Sequence, residues 1–204
     1  MSCPSPEISC LFKSQIPWRL GMRKSVSVQL QSNHFTPFQA HLLRASWLHV
    51  GKNGPSGFGN MIFRRVIQHC PDVKRLFCLD EVQSETINFE PRFMRHADAI
   101  LAALSKAVDR LDRWDEFAAE LRQYGANHVK YVNFGFHKEL WDQFAEALTL
   151  TTMDWLKTSK HHKETVRAWT HLVALIVAEM RVGFEAEHCR QRLSPRLRKR
   201  SDTF

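Results

Sequence analysis

The chain has 204 residues, 44% hydrophobic and 25% charged, with only 8 Gly and 8 Pro, which fits one core of ordinary size and excludes collagen-like, wholly disordered and two-domain readings. Its net charge of +8 resides in the ends: residues 1–37 carry four basic side chains against one acidic, residues 190–204 carry six against one, and the stretch between holds nineteen of each. A neutral body excludes a nucleic-acid grip built into the fold, and leaves weak attraction to anionic membranes as a property of the basic tails alone.

The longest apolar run, 172–178, is seven residues, against the roughly 20 that cross a bilayer. Residues 1–4 lack the start of a secretory signal. The expectation is a cytoplasmic protein, membrane-associated only through its ends. Five cysteines (Cys3, Cys10, Cys70, Cys78, Cys189) are odd in number and widely spaced, which suits reduced thiols. Cys70 and Cys78 nevertheless flank one short turn, where a disulfide would act as a thiol switch.

Residues 1–37 mix Pro, Ser, Cys and isolated apolar side chains without a period and read as an extension. Helical spacing begins at Phe38 with Leu42, Leu43, Trp47 and Val50, and stops at Gly51 and the breaker-rich Asn53-Gly54-Pro55-Ser56-Gly57. A second stripe, Met61, Ile62 and Val66, reaches Cys70. There Pro71 opens a short helix as its first residue, and Phe77 closes it. Beyond an acidic linker at 80–88, Pro91 starts a strongly amphipathic helix through Phe93, Ala97, Ile100, Leu104, Val108 and Leu111. After a charged break at 109–116, the residues Phe117, Leu121, Tyr124 and His128 follow at steps of 4, 3 and 4. Phe136, Leu140, Phe144, Leu148 and Trp155 make the next helix, a polar loop covers 157–163, and Trp169, Leu172, Val173, Ile176, Val177 and Met180 make the last. Nothing alternates as a strand does. The fold class is all-α.

Among eleven histidines, His161 and His162 fall in the polar loop and read as solvated. His34, His41, His49, His69, His137, His171 and His188 lack metal-ligand spacing and read as surface or capping residues. His96 and His128 differ, since each lies on the apolar stripe of its own helix. A buried imidazole needs a hydrogen-bond partner or a metal, and two of them on separate apolar faces suit a metal carried inside an apolar cofactor. No Ser/His/Asp set, GxGxxG, phosphate loop or apolar-face carboxylate pair is present, so enzymatic chemistry is not expected.

The segment Cys70-Pro71-Asp72-Val73-Lys74-Arg75-Leu76-Phe77 resembles the short third helix of the globin family, with its proline and, six residues later, the phenylalanine that packs on the haem. Trp47 resembles the tryptophan of that family's first helix. His96 stands where globins carry the distal histidine, and Ile100 matches the apolar position beside the ligand. His128, 32 residues after His96, resembles the proximal histidine, and the final helix resembles the family's last. The resemblance covers 38–189, leaving 1–37 as an N-terminal extension and 190–204 as a basic C-terminal tail.

This resemblance implies three-on-three helices around a haem b pocket with His128 on the iron. Phe63, eight residues before Pro71, lines the distal side and offers no hydrogen-bond donor, so His96 would supply it. The Tyr124 carbonyl is the expected acceptor for His128. The joining segment with Phe134 and Phe136 is expected at the haem edge, and Arg92 and Arg95 near the propionates. Two functions are implied: an oxygen or other diatomic gas binder with five-coordinate iron, for transport or storage, or a six-coordinate protein with His96 as sixth ligand, acting in electron transfer or redox sensing with a redox partner protein. A third alternative is a haem-free interaction module using its basic tails.

Overall fold

The computed structural model describes residues 34–52, 55–83, 86–156 and 160–201, of which 52, 55, 56, 88 and 194–201 are described by their backbone alone. The N-terminal extension as far as residue 33, with Cys3 and Cys10, lies outside the described residues, as do 202–204. Seven α-helices run α1 Pro37–Lys52, α2 Pro55–His69, α3 Val73–Leu76, α4 Pro91–Asp109, α5 Trp114–Asn127, α6 Leu140–Trp155 and α7 His162–Ser201. Among the described residues there is no strand, as the all-α reading expects.

Local chemistry explains the starts of α1 and α4. Thr36 Oγ1 accepts from the Gln39 amide (3.2 Å) while Gln39 Oε1 accepts from the Thr36 amide (2.9 Å), a reciprocal cap ahead of Pro37. Pro91 likewise opens α4, where its missing amide costs nothing. Pro71 does not open α3 as expected. It sits in a tight turn whose amides at Val73 and Lys74 reach back three residues (3.1 and 3.0 Å), and α3 begins at Val73.

The helices form two layers, α1, α4 and α5 against α2, α6 and α7. Their shared core holds Leu43, Phe58, Ile62, Phe93, Leu148 and Trp169, all essentially inaccessible. The Trp169 indole donates to Ser46 Oγ (2.9 Å), and Ser46 passes its own proton to the Leu42 carbonyl (2.7 Å). One buried hydroxyl thus satisfies α1 and α7 together. Trp47 tilts against Trp169 with ring centroids 5.9 Å apart.

Two sequence boundaries shift. Phe35, assigned to the extension, is buried against Trp114 and His171, so the folded body begins before residue 38. The last helix does not stop at 189. It continues as backbone helix through Ser201, taking in most of the segment read as a tail. His162 is half-buried: it opens α7 and its Nδ1 bonds the Leu156 carbonyl (3.1 Å). Among the described residues, no helix is long and apolar enough to cross a membrane.

The closest helix crossing joins α5 and α7. A Cβ added at Gly125 would collide with the Met180 carbonyl, and one at Gly183 with the Arg122 carbonyl. Each helix therefore presents a bare Cα to the other's backbone.

Candidate functional site

His96 and His128 come from different helices and meet in the interior. His96 lies on the second turn of α4, one turn after the fully buried Phe93. α5 terminates at Asn127, and His128 begins a 3-10 turn over His128–Phe134. Their ring centroids are 6.3 Å apart with planes at 72°.

Around His96 the walls are aromatic. Phe63 of α2 meets it edge-on at 5.2 Å, and Phe77, at the end of α3, at 5.3 Å. Phe63 also packs on Phe77 (5.8 Å) and Phe93 (4.9 Å). Ile100 lies one turn further along α4, half-buried against the core. On the other side, His128 packs on Phe136 (5.0 Å), Trp141 (5.6 Å) and Tyr131 (6.3 Å).

Hydrogen bonding separates the roles of the two rings. His128 Nδ1 is 2.7 Å from the Tyr124 carbonyl oxygen. A carbonyl only accepts, so Nδ1 carries the proton and donates, which leaves Nε2 with its lone pair free to ligate. Among the described residues, His96 makes no hydrogen bond. Withdrawal from water, with the neighbouring His128 adding to it, pushes the His96 pKa from 6.5 down to about 4. His128 is lowered too, first by loss of water; the Tyr124 bond opposes this and Lys130 adds to it. Both rings are therefore neutral near pH 7, the state a metal ligand requires.

The donor set suits one kind of group. Among the described residues, no cluster of three or more His, Cys, Asp or Glu side chains could hold a bare metal ion. Two imidazoles from opposite sides, walled by Phe63, Phe77 and Phe136, match a planar apolar cofactor that supplies the remaining ligands itself. A metal–nitrogen bond of about 2.0 Å and a ring radius of about 1.1 Å put two trans imidazole centroids roughly 6 Å apart, and the observed separation is 6.3 Å.

The structure brings together Phe63, Phe77, His96, His128 and Phe136, sets the expected Tyr124 carbonyl on His128, and leaves Phe134 out. Phe134 is 65% exposed. Gly135, at φ +99°, reverses the chain with its amide on Val132 and the Phe136 amide on Tyr131 (3.0 and 3.1 Å), a left-handed stop that turns Phe136 inward and leaves Phe134 outside. Tyr124 contributes its carbonyl and not its ring, for its hydroxyl donates to Glu120 (3.3 Å) beside Lys106. Arg92 donates to the Phe77 carbonyl (3.2 Å), tying α4 to the Phe77 turn, and Arg95 is exposed. Cys70 and Cys78 are free thiols, half-buried and exposed. Sequence reasoning missed Phe93 and Trp141 as wall residues. Phe93 carried a usable signal, one helical turn before His96; Trp141 carried none, because its neighbour is set by the Gly135 reversal.

The globin family model matches residues 60–180 of this chain. The chain is 30% identical over 147 residues to globin-related protein glb-13 of Caenorhabditis elegans, covering 72% of this chain and 51% of that protein. It is 28% identical over 148 residues to globin-like protein 26 of the same organism, covering 72% and 74%. The match thus spans about half the length of the first of these relatives. Among solved structures it is similar to globin-like protein Glb-12 from C. elegans (TM-score 0.68, 14% identity, 81% of this chain and 98% of that one). It is also similar to a hexacoordinated heme protein from an anhydrobiotic tardigrade (TM-score 0.67, 19% identity, 74% and 96%). At these identities the structural likeness establishes the fold.

Proposed function

Since this chain belongs to the globin family, we propose that His128 and His96 would both hold the iron of a haem b, and that the protein works by one-electron exchange or redox sensing. The observation that carries this reading is the 6.3 Å centroid separation of the two imidazoles, close to the spacing that two nitrogen ligands of one metal would have. A haem supplies an iron that takes axial nitrogen donors, exchanges one electron and accepts diatomic ligands when a position is open.

The chain's own residues then have defined tasks. The Tyr124 carbonyl fixes the His128 tautomer and ring orientation. Phe63 and Phe77 pack edge-on against His96, and Phe93 backs Phe63. A second reading, binding of oxygen or another diatomic gas, is favoured by one observation: among the described residues only ring contacts hold His96. Such a side chain can swing aside to admit a gas, and then serves as the donor that Phe63 cannot be.

Visible spectra of the purified protein, ferric and dithionite-reduced, test the proposal. Sharp split bands in the reduced protein that vanish in His96→Ala, with haem lost in His128→Ala, are the expected result. A single broad reduced band in the native protein would overturn axial ligation by His96 and leave the gas-binding reading.

A further inference from the structure

His128 is the start of a continuous line of packed rings. Trp141, at the beginning of α6, lies 5.6 Å from it, and Phe136 lies 5.0 Å from His128 and 5.3 Å from Trp141. Phe184 of α7 packs on Trp141 at 5.6 Å and on Phe136 at 5.7 Å. His188, one turn on, is 5.6 Å from Phe184 and half-buried at the protein surface. Trp141, Phe136 and Phe184 are buried, so the line crosses the interior without a water-filled gap.

Where it emerges, the surface changes character. Among the described side chains Phe184 is the last buried one of α7, and those from Cys189 to Leu193 are all exposed. The helix backbone nevertheless continues to Ser201, so α7 projects past the body. Residues 190–201 contain six basic side chains and no acidic one. At 100° per residue, the sequence order of these six basic residues leaves no broad apolar stripe for insertion into a bilayer. The nearby acids are already engaged: Glu187 holds Arg190 and Glu185 holds Lys138, both at 2.6 Å. Arg192 is exposed, and among the described residues no acidic side chain is paired with it.

We infer that the projecting end of α7 is the docking surface for an acidic one-electron carrier protein, and that electrons pass between it and the buried site along His188, Phe184, Trp141 and His128. This rests on the reading of a haem at His128. Electron tunnelling falls steeply with the number and width of through-space gaps, and ring-to-ring packing keeps those gaps short. Clustered positive charge steers an acidic partner to the one place where the line reaches the surface. In the step itself, one electron leaves the reduced carrier and one arrives at the ferric site, with no bond formed or broken.

The test uses the full haem-loaded chain and a small acidic flavodoxin, reduced before mixing. In Arg192→Glu/Arg196→Glu, which leaves the Arg190–Glu187 pair in place, the second-order rate of reduction is expected to fall about tenfold at low ionic strength, and native and variant rates to converge as salt rises. Calorimetric titration with oxidised flavodoxin is expected to show the matching loss of binding. Reduction by uncharged lumiflavin, which needs no docking surface, should be unchanged. In His188→Leu, binding should persist while electron transfer at saturating flavodoxin slows; Phe184→Leu provides the same reading inside the protein. Equal rates in native and charge-reversed protein would overturn the inference, as would equal losses with lumiflavin. Tight binding to phosphatidylserine vesicles with no charge effect on flavodoxin binding would overturn it in favour of a membrane surface. The reduced spectrum of the same samples reports His96 ligation independently, so a failure there is distinguishable from a failure of docking.

Discussion

Replacing Gly125 by Ala sets two effects of opposite sign against each other. In a helix interior Ala is favoured over Gly by about 1 kcal/mol, so local propensity expects stabilisation. The added methyl, however, would come within 2.6 Å of the Met180 carbonyl carbon and 2.8 Å of its Cα, where real Cβ contacts essentially never fall below 3.0 Å. No torsion relieves this, because a Cβ has no rotamer and the obstacle is backbone. α5 must draw back from α7, which loosens the packing of Phe117, Leu121 and Val177, all buried. Overpacking of this kind costs roughly 1–3 kcal/mol, and more where a backbone has to move. The net expectation is a loss of about 2 kcal/mol, which at a urea slope of about 2 kcal/mol/M lowers the midpoint by about 1 M. Urea unfolding followed by circular dichroism measures it. Gly51→Ala is the matched control: a Cβ there has nothing within 4 Å, so propensity alone should act, and the midpoint should hold or rise. A Gly125→Ala midpoint at or above native would refute the close crossing of α5 and α7.

Ser46→Ala removes the acceptor of the buried Trp169 indole and is expected to cost about 1–2 kcal/mol in urea unfolding, since the N–H is left dry and unpaired; an unchanged midpoint would count against that bond. Tyr124→Phe deletes the hydroxyl shared with Glu120 and Lys106 but keeps the carbonyl that holds His128. Its visible spectrum should match native, with stability within about 1 kcal/mol; a shifted spectrum would mean that the phenol, and not the carbonyl, orients the ring. For the haem-free chain, the His96 pKa is lower in the folded protein (about 4) than at its ordinary value of 6.5, so the unfolded state takes up the proton first. The stability this group contributes is complete above pH 6.5 and is lost as pH falls towards 4, by up to about 3 kcal/mol. His96→Leu should flatten the urea midpoint across that interval, and an undiminished slope in the variant would assign the acid sensitivity elsewhere.

Periodicity alone carried the class and most of the helices, because an amphipathic helix writes its buried face into the chain at steps of three and four. His96 on the face of Phe93 and Ile100, and His128 on the face of Leu121 and Tyr124, were legible for that reason, as was the Tyr124 carbonyl one turn back. The charge partition was equally plain, since counting needs no fold. What sequence could not determine was anything set by contact between remote segments. The 6.3 Å between the two imidazoles depends on how α4 and α5 are held by different neighbours, and the place of α5 depends on Gly125 and Gly183 meeting backbones from which they are 55 and 61 residues removed in the chain. Phe134 and Phe136 have the same composition and nearly the same position, yet a single left-handed turn at Gly135 sends one outward and the other against His128. The line from His128 to His188 joins residues 60 positions apart in sequence, and only the packing of α6 against α7 brings them into one row. Side-chain type is local information; distance between segments is decided by how whole helices fill the space between them.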